Sequence, residues 1–438
     1  MRLPRTGGPL AQSTGTTRAG SALRSNPVTA RVAALPTFAS FGERDFRWFY
    51  LAMLGQMAGM NIQLVMRGYV VFEITGSFAA LGGIALASAL PMLFLGVLGG
   101  VLADRAPKKV VLQVGQFVSV LTALGVGILI LTDTIVLWHL FAAGALQGIT
   151  MALMMPSRQA MIPEVVGRDL LMNAVALNSA GMNLMRVLAP AAAGFLTAAA
   201  GGGVIGAGPV YMVMAGTYFF AMVTLAMLPR QEAASSGSAR GGLGDLRDGF
   251  VYVRHDPTIL IVLAVTLLSA FLAMPYIQLL PGFVKDVLDG GPVELGLLTA
   301  VSGGGALFGA LVIASLPERR RGLLLLLSVV GLGASLILLA GSTAFWFAVI
   351  AIVFVGIGTA GRQAFSQILL HSYVENEFRG RVMALMMLQP GMMALGAFVI
   401  GVVAERAGID IAMGALAIGL VGIAAFIMVA SPRLRRLE

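Results

Sequence analysis

The chain contains no cysteine and only three histidines among its 438 residues. The absence of thiols excludes disulfide bonds, thiolate nucleophiles and thiolate metal sites. His139, His255 and His371 lie far apart in unrelated contexts, so we expect neither a metal site nor a cofactor. The apolar runs also hold no combination of acid, histidine and nucleophile, and we therefore do not expect an enzyme.

Charged residues are scarce as well. They make up 11% of the chain, whereas hydrophobic residues make up 58%, and an ordinary soluble domain carries about 25% charged residues. So few charges would not cover a surface that faces water. Segments of about 20 apolar residues instead match a hydrocarbon core about 30 Å thick. The sequence therefore predicts a polytopic helical membrane protein that is embedded in the lipid bilayer.

Twelve apolar runs between turn signals predict an all-α membrane protein with twelve transmembrane helices. The hydrophilic linker 230–256, whose second part is amphipathic, divides them into two six-helix bundles, 45–229 and 257–431, with tails at 1–44 and 432–438. The predicted spans are 46–73, 79–103, 109–132, 135–156, 173–200, 209–229, 257–284, 293–316, 322–341, 344–368, 382–404 and 411–430.

The placement of basic residues predicts the orientation. There are 29 Lys and Arg against 20 Asp and Glu, but they lie in short loops, so we expect no nucleic-acid partner. With the N-terminus inside, the outer loops keep only Lys285 and Arg406, and the positive-inside rule places both termini in the cytoplasm. Residues 1–40 hold five arginines and no acid. This composition fits a transit peptide or a basic cytoplasmic tail, and we favour the tail because no apolar face repeats along it.

The two halves of the sequence contain similar segments. SRQAMIPEVVGRDLLMNAVAL (157–177) and GRQAFSQILLHSYVENEFRGRVMAL (361–385) both place Arg-Gln-Ala at the end of an apolar run. Each then passes through a charged loop and enters the next apolar run. A duplicated six-helix unit explains the equivalent positions, and internal repeats of this kind are typical of secondary transporters.

Two predicted spans carry a polar stripe at helical spacing. A central arginine that faces lipid costs about 2.5 kcal/mol or more, so both stripes should line one wall of an interior cavity. Arg67 lies nearer the outer end, where its side chain could also reach the interface. Tyr276, Gln363 and Gln367 are further cavity candidates, and the alternative for each is a polar contact between packed helices. The first stripe consists of Gln56, Met60, Gln63 and Arg67, and the second of Ser179, Asn183 and Arg186.

The loop GGVLADRAPKK (99–109) resembles the signature loop of the major facilitator superfamily. Its matching residues are Gly100, Asp104, Arg105, Lys108 and Lys109. The resemblance implies two six-helix bundles around a central cavity, with this loop acting as a gate latch. Further segments resemble the drug-exporter branch that includes macrolide and siderophore efflux proteins: DFRWFYLAMLGQ (45–56), FEITGS (72–77), MPSRQAMIPEVV (155–166), RVLAPAAAG (186–194) and FRGRVMAL (378–385).

The chain departs from that branch in its first span. Members commonly carry an acidic residue in the middle of this span, where the chain has Gly59-Met60-Asn61. A carboxylate inside the membrane is the usual proton carrier. Proton coupling would therefore need a carrier elsewhere.

Loop charges near the cytoplasmic ends predict an inner gate. Arg158 could pair with Glu164 or Asp169. On the second half, Arg362 or Arg379 could pair with Glu375 or Glu377.

The function predicted from the sequence is export of a hydrophobic or amphipathic small molecule across a bacterial inner membrane. The resemblance implies alternating access, and we expect an ion gradient to drive it, with the proton as the first candidate ion. We expect a monomer whose partners are its substrate and the bilayer. An importer, a facilitator, a lipid flippase and a non-transporting membrane sensor are the alternatives.

Overall fold

The computed structural model describes residues 36–229, 243–316, 319–435 and 437, with side chains for all of these but 36, 37, 97–105, 168 and 243–247. Most of the predicted basic tail and the first part of the linker 230–256 therefore lie outside the described residues. Within the described ranges the chain is built of helices joined by short turns, and no strand occurs there.

The described chain folds into consecutive α-helices, preceded by a short 3₁₀ helix at Pro36–Gly42. They are α1 Arg44–Thr75, α2 Phe78–Arg105, α3 Lys108–Leu131, α4 Leu137–Val165, α5 Leu171–Ala199, α6 Gly203–Ala226, α7 Leu243–His255, α8 Pro257–Leu272, α9 Tyr276–Asp286, α10 Pro292–Ser315, α11 Arg321–Ala340, α12 Phe345–Tyr373, α13 Arg379–Met386, α14 Gln389–Ala407, α15 Ile409–Ala430 and α16 Pro432–Arg435.

Each predicted span coincides with helical structure, but two spans are broken. The seventh is divided into α8 and α9 at residues 273–275, and the eleventh into α13 and α14 at residues 387–388. Pro275 precedes α9, and Pro390 lies in the first turn of α14. Proline has no N–H to donate and clashes with the preceding turn, so it is accommodated at the start of a helix. Apolar periodicity alone does not reveal these breaks.

Eleven helical segments of the described chain are long and apolar enough to cross a membrane, and α1 is not among them. With 32 residues, α1 is about 48 Å long, so its length is sufficient. Its polar residues reduce its hydropathy. From Asn61 to Phe72 every side chain except that of Leu64 is buried. Because α1 is surrounded by other helices there, it needs no apolar face towards lipid.

The helices pack within two halves of the chain, which we call the N half (36–229) and the C half (243–437). In the N half, α1 packs on α5 and α6, and α2 packs on α4. In the C half, α12 lies between α10 and α11, and α14 packs on α8. The linker helix α7 lies on the C half, where Tyr252 stacks on Phe378 with ring centroids 4.3 Å apart.

The contact between α2 and α4 depends on Gly148. A Cβ at this position would collide with the backbone carbonyl of Ser88 on α2. A backbone carbonyl has no rotamer by which it can move away. The two helices therefore approach this closely because residue 148 has no side chain.

We expect Gly148→Val to lower the free energy of unfolding by about 2 kcal/mol, because overpacking a tight contact typically costs 1–3 kcal/mol. Thermal unfolding in detergent, followed by size-exclusion chromatography of the surviving protein, measures the effect. Gly125→Val is the matched control, since Gly125 is a helical glycine on α3 with no atom within 4 Å of its added Cβ. Equal destabilisation by both substitutions would contradict the interpretation.

Candidate functional site

Polar contacts join the N and C halves at one end of the molecule. We call this the far end, where α1 ends and α2 begins, and the opposite end the near end. The carboxylate of Glu73 pairs with the ammonium of Lys285 at 2.8 Å. Glu405 accepts hydrogen bonds from Ser77 Oγ at 2.5 Å and from the backbone N–H of Ala79 at 3.1 Å. A C-half carboxylate thus caps the N-terminus of an N-half helix, where negative charge is favourable.

Small residues extend this contact along two helix pairs. On α2, a Cβ added to Gly82 would lie 2.5 Å from the backbone oxygen of Ala397 on α14. On α10, a Cβ added to Gly296 would lie 2.6 Å from the backbone oxygen of Pro190 on α5. Both contacts lie in the far-end portions of their helices. The backbones of the two halves are therefore in direct contact there, and the far end is closed.

Towards the near end, α5 and α10 separate. Ser179 and Asn183 continue the face of α5 that touches α10 further along, yet Ser179 is exposed and Asn183 is half-buried. Met172 ends this face with an exposed fraction of 84%. On α10, Leu307 and Ala310 follow Gly303 on the same face and are exposed. A cleft thus opens between the halves towards the near end, and we call it the central cleft.

Arg186 lies where the central cleft closes. It is exposed on α5, and its Cγ would be 3.2 Å from a Cβ added to Gly303 of α10. From the C half, the Tyr276 hydroxyl shares a 2.8 Å hydrogen bond with Ser302 Oγ. Ser302 directly precedes Gly303, so the hydroxyl pair lies beside the contact between Arg186 and α10. We call Arg186, Tyr276 and Ser302 the apex cluster, because it joins residues of both halves at the apex of the cleft.

The sequence patterns predict two members of the apex cluster but not Ser302. The stripe on the fifth span predicts Arg186, and the polar residues of the seventh span include Tyr276. Tyr276 reaches the cluster because the helix breaks before α9. The signal for Ser302 is its place in the run VSGGGALFG (301–309), whose small residues let α5 and α12 approach α10.

The polar side chains of the α1 stripe do not line the central cleft in this structure. Gln56, Gln63 and Arg67 are buried within the N half, and Met60 is half-buried. Gln63 accepts a hydrogen bond from the Tyr218 hydroxyl of α6 at 3.1 Å. Helices of the same half cover this side of α1, so its polar side chains serve contacts between packed helices.

The alternative that the Arg67 side chain reaches the membrane–water interface is wrong. The exposed fraction of Arg67 is 8%, and its Nη1 donates a hydrogen bond to Ser88 Oγ at 2.6 Å. A Cβ added to Gly144 would lie 3.4 Å from this nitrogen. The absence of a side chain at Gly144 thus makes room for the guanidinium between α1, α2 and α4.

The predicted inner-gate pairs are not formed among the described residues. The two terminal nitrogens of Arg158 each lie 3.5 Å from a methionine sulfur, those of Met57 and Met155. Its supposed partner Glu164 pairs with Lys108 at the start of α3. Arg158 and Glu164 do not meet because Arg158 points into the N half whereas Glu164 lies at the near end of α4.

The predicted gate pairs of the C half are not formed among its described residues either. Arg362 donates a hydrogen bond to Gln389 Oε1 at 3.3 Å, and Arg379 lies 3.5 Å from the carbonyl oxygen of Val374. Neither forms an ion pair with Glu375 or Glu377 in the described residues. On the first half, Asp169 is exposed.

The signature loop can be followed in part. The side chains of Gly100, Asp104 and Arg105 lie outside the described residues, so their predicted latch role stays a prediction. Lys109 donates a hydrogen bond to the carbonyl oxygen of Ala226 at 2.9 Å, and Lys108 pairs with Glu164. The basic end of the loop therefore ties α3 to the near ends of α4 and α6 within one half.

Gln363 and Gln367 remain candidates for a cleft wall. They continue the face of α12 on which Gly356 and Ala360 pack against α10. Both glutamines are exposed. As on α5, a face that is covered towards the far end is uncovered towards the near end.

These features define a polytopic membrane transporter of the major facilitator fold. Its fold is similar to that of the nucleoside transporter NupG, whose crystal structure gives a TM-score of 0.70 with 15% identity over 88% of this chain and 98% of that one. The chain belongs to the major facilitator family described as transmembrane secretion effector, whose profile matches residues 35–438.

Individual relatives point in the same direction. The multidrug efflux pump Tap of Mycolicibacterium fortuitum is 26% identical over 88% of this chain and 95% of its own length. The enterobactin exporter EntS of Shigella boydii is 28% identical over 65% of each chain. The uncharacterized MFS-type transporter YfiS of Bacillus subtilis is 26% identical over 57% of this chain and 58% of its own length. The resemblance to the exporter branch is confirmed.

We expect Glu405→Gln to open the far end more often, because the neutral amide loses the charge that favours the cap of α2. The chain has no cysteine, so a single introduced thiol can report opening. Ala85 is buried and faces α14, and the rate at which a thiol reagent labels Ala85→Cys measures how often the far end opens. The expected rise is about threefold. Glu294→Gln is the control, since Glu294 caps Gly291 within the C half at 2.8 Å. An equal rise in both would contradict the role of Glu405.

Proposed function

We propose that this protein exports a hydrophobic or amphipathic small molecule across the bacterial inner membrane by alternating access. In this proposal α1 also crosses the membrane, which brings the number of spans to twelve. Residues 45–229 and 257–431 then form two six-helix bundles that rock about a central site. Membership of the exporter branch supports the direction of transport.

The observation that carries the proposal is the asymmetry of the contacts between the halves. They touch at the far end and separate at the near end, as alternating access requires of one of its two states. Lys285 and Arg406 are the basic residues at the far end, and the positive-inside rule therefore makes that end the outer one. The central cleft then opens to the cytoplasm, which is the side from which an exporter takes its substrate.

The chemistry of the cleft walls supports an amphipathic substrate. The α5 wall carries the polar side chains Ser179, Asn183 and Arg186, whereas the α10 wall carries Leu307 and Ala310. A molecule with one polar group and an apolar body would contact both walls. Transporter pockets of this kind combine apolar area for affinity with a few polar groups for orientation.

A facilitator is the second candidate, and the positions of the carboxylates favour it. In the membrane-spanning helices each Asp or Glu lies within three residues of a helix end. An ion gradient remains the proposed driving force, but the middle of the spans supplies no carboxylate for proton transfer.

The first experiment locks the far end. In Glu73→Cys/Lys285→Cys, a short bifunctional thiosulfonate forms a disulfide with each thiol and bridges the two positions. We expect this bridge to reduce the rate of efflux of lipophilic dyes from proteoliposomes more than tenfold. A reductant should restore the efflux, because alternating access requires this ion pair to separate. Glu73→Cys alone, treated in the same way, is the control. Full efflux by the bridged protein would contradict alternating access.

A pH gradient of either sign, imposed on the same vesicles, distinguishes the two candidates. Efflux that follows the gradient would support proton-driven export. Efflux that is indifferent to it would discard proton antiport and favour a facilitator.

A further inference from the structure

The interior of the membrane-spanning helices is cationic. The acidic residues of these helices are confined to their ends: Asp45, Glu73, Asp104, Glu164, Asp286, Glu294, Glu405 and Asp410. Between the ends lie Arg67, Arg158, Arg186 and Arg362, without a carboxylate at the same depth. A charge in a low-dielectric interior is costly unless it is compensated.

Three of these arginines are enclosed by protein. The exposed fractions of Arg67, Arg158 and Arg362 are 8%, 7% and 4%, and each contacts neutral groups of its own half. Arg186 differs because its side chain is exposed in the central cleft. It lies roughly 20 Å from either end of α5, and a molecule that enters the cleft can reach it.

The groups around Arg186 are donors. Tyr276 and Ser302 share one 2.8 Å hydrogen bond on the C-half side of the apex. With the buried Tyr276 hydroxyl as its donor, the half-buried Ser302 keeps its own O–H to donate to a ligand. A carboxylate or sulfonate accepts several such bonds together with a guanidinium. A cation would instead meet Arg186, with no acidic side chain at this depth to receive it.

We infer that the transported molecule is an amphiphile with an anionic head group. The head group binds at Arg186 and Ser302, with the buried Tyr276 hydroxyl orienting Ser302, and the apolar body lies along the α10 wall at Leu307 and Ala310. This inference rests on the proposed export function, to which it adds the charge of the substrate.

The charge of the substrate also supplies a driving force. The cell interior is negative, and each 100 mV favours the outward movement of one negative charge by about 50-fold at equilibrium. Export of an anion therefore needs no proton carrier inside the spans. This explains how a chain with Gly59, Met60 and Asn61 in the middle of its first span can drive export.

The test uses two probes with the same apolar body and opposite charge, 1-pyrenesulfonate and N,N,N-trimethyl-1-pyrenemethylammonium. Proteoliposomes that contain the full chain are loaded with one probe, and an inside-negative potential is set with potassium and valinomycin. We expect wild type to release the sulfonate at least tenfold faster than protein-free vesicles, in proportion to the potential. For vesicles loaded with the cation the potential is reversed to inside-positive, so that the field drives either probe outward. Wild type should then release the cation no faster than protein-free vesicles.

Variants of the apex cluster make the test specific. The sulfonate flux of Arg186→Gln should be at least tenfold lower than that of wild type. Arg186→Lys should keep part of the flux because its positive charge remains. Tyr276→Phe and Ser302→Ala should weaken it about threefold each. Arg47→Gln, at an exposed position near the start of α1, is the control and should match wild type. Arg186→Glu should gain flux of the cation, which a structural role of Arg186 would not produce.

Failure of the inference and failure of the proposed function are distinguishable. Faster flux of the cation than of the sulfonate by wild type, unchanged in Arg186→Gln, would overturn the inference and leave export intact. If neither probe moves, the unfolding temperature in detergent is measured with and without 1-pyrenesulfonate. A rise for wild type but not for Arg186→Gln would support binding of the anion at this site without transport. Stabilisation of neither would overturn the inference.

Discussion

The backbone contact between the two halves at the far end determines the shape of this molecule. α2 meets α14 and α5 meets α10 at positions where one partner is glycine, and the backbones therefore approach more closely than side chains would permit. Dispersion at such short separations stabilises helix pairs inside a membrane, where burial of apolar surface contributes little. The Glu405 contact lies at the end of the α2–α14 pair, and the Glu73–Lys285 ion pair joins α1 to α9 at the same end of the molecule.

Closure at one end has a direct consequence at the other. The helices are long and rigid, so faces of α5 and α10 that touch at the far end diverge towards the near end and stay uncovered. The cleft is the space between these diverging faces. Its apex combines residues of both halves, because Arg186 comes from α5 whereas Tyr276 and Ser302 come from α9 and α10. A site of this composition changes whenever the halves move relative to each other.

The buried arginines of the two halves show how polar groups are tolerated inside the helix bundle. Arg67 fits because residue 144 is glycine and Ser88 accepts its hydrogen bond. Arg158 lies against methionine sulfurs, which are soft and polarisable acceptors. These side chains hold helices of one half together. Arg186 differs from them in being accessible from the cleft.

Much of the fold follows from the sequence alone. Runs of apolar residues between turn signals predict the helical spans, because a segment that crosses a bilayer must satisfy its backbone hydrogen bonds internally. Exceptions are local. Pro275 and Pro390 lie at the breaks in the two broken spans. Whether a helix breaks next to a proline depends on how the neighbouring helices pack around that proline.

The sequence by itself determined that Arg186 must point away from lipid, because a charge towards lipid is too costly, whereas Arg67 could point inwards or reach the membrane interface. It did not determine which protein surface each of them faces. Both belong to stripes of the same spacing, and helical periodicity fixes only the relative directions of side chains on one helix. The tertiary structure decided that α1 is enclosed by its own half while α5 borders the cleft. Such a difference arises from packing between segments distant in sequence, and no local pattern records it.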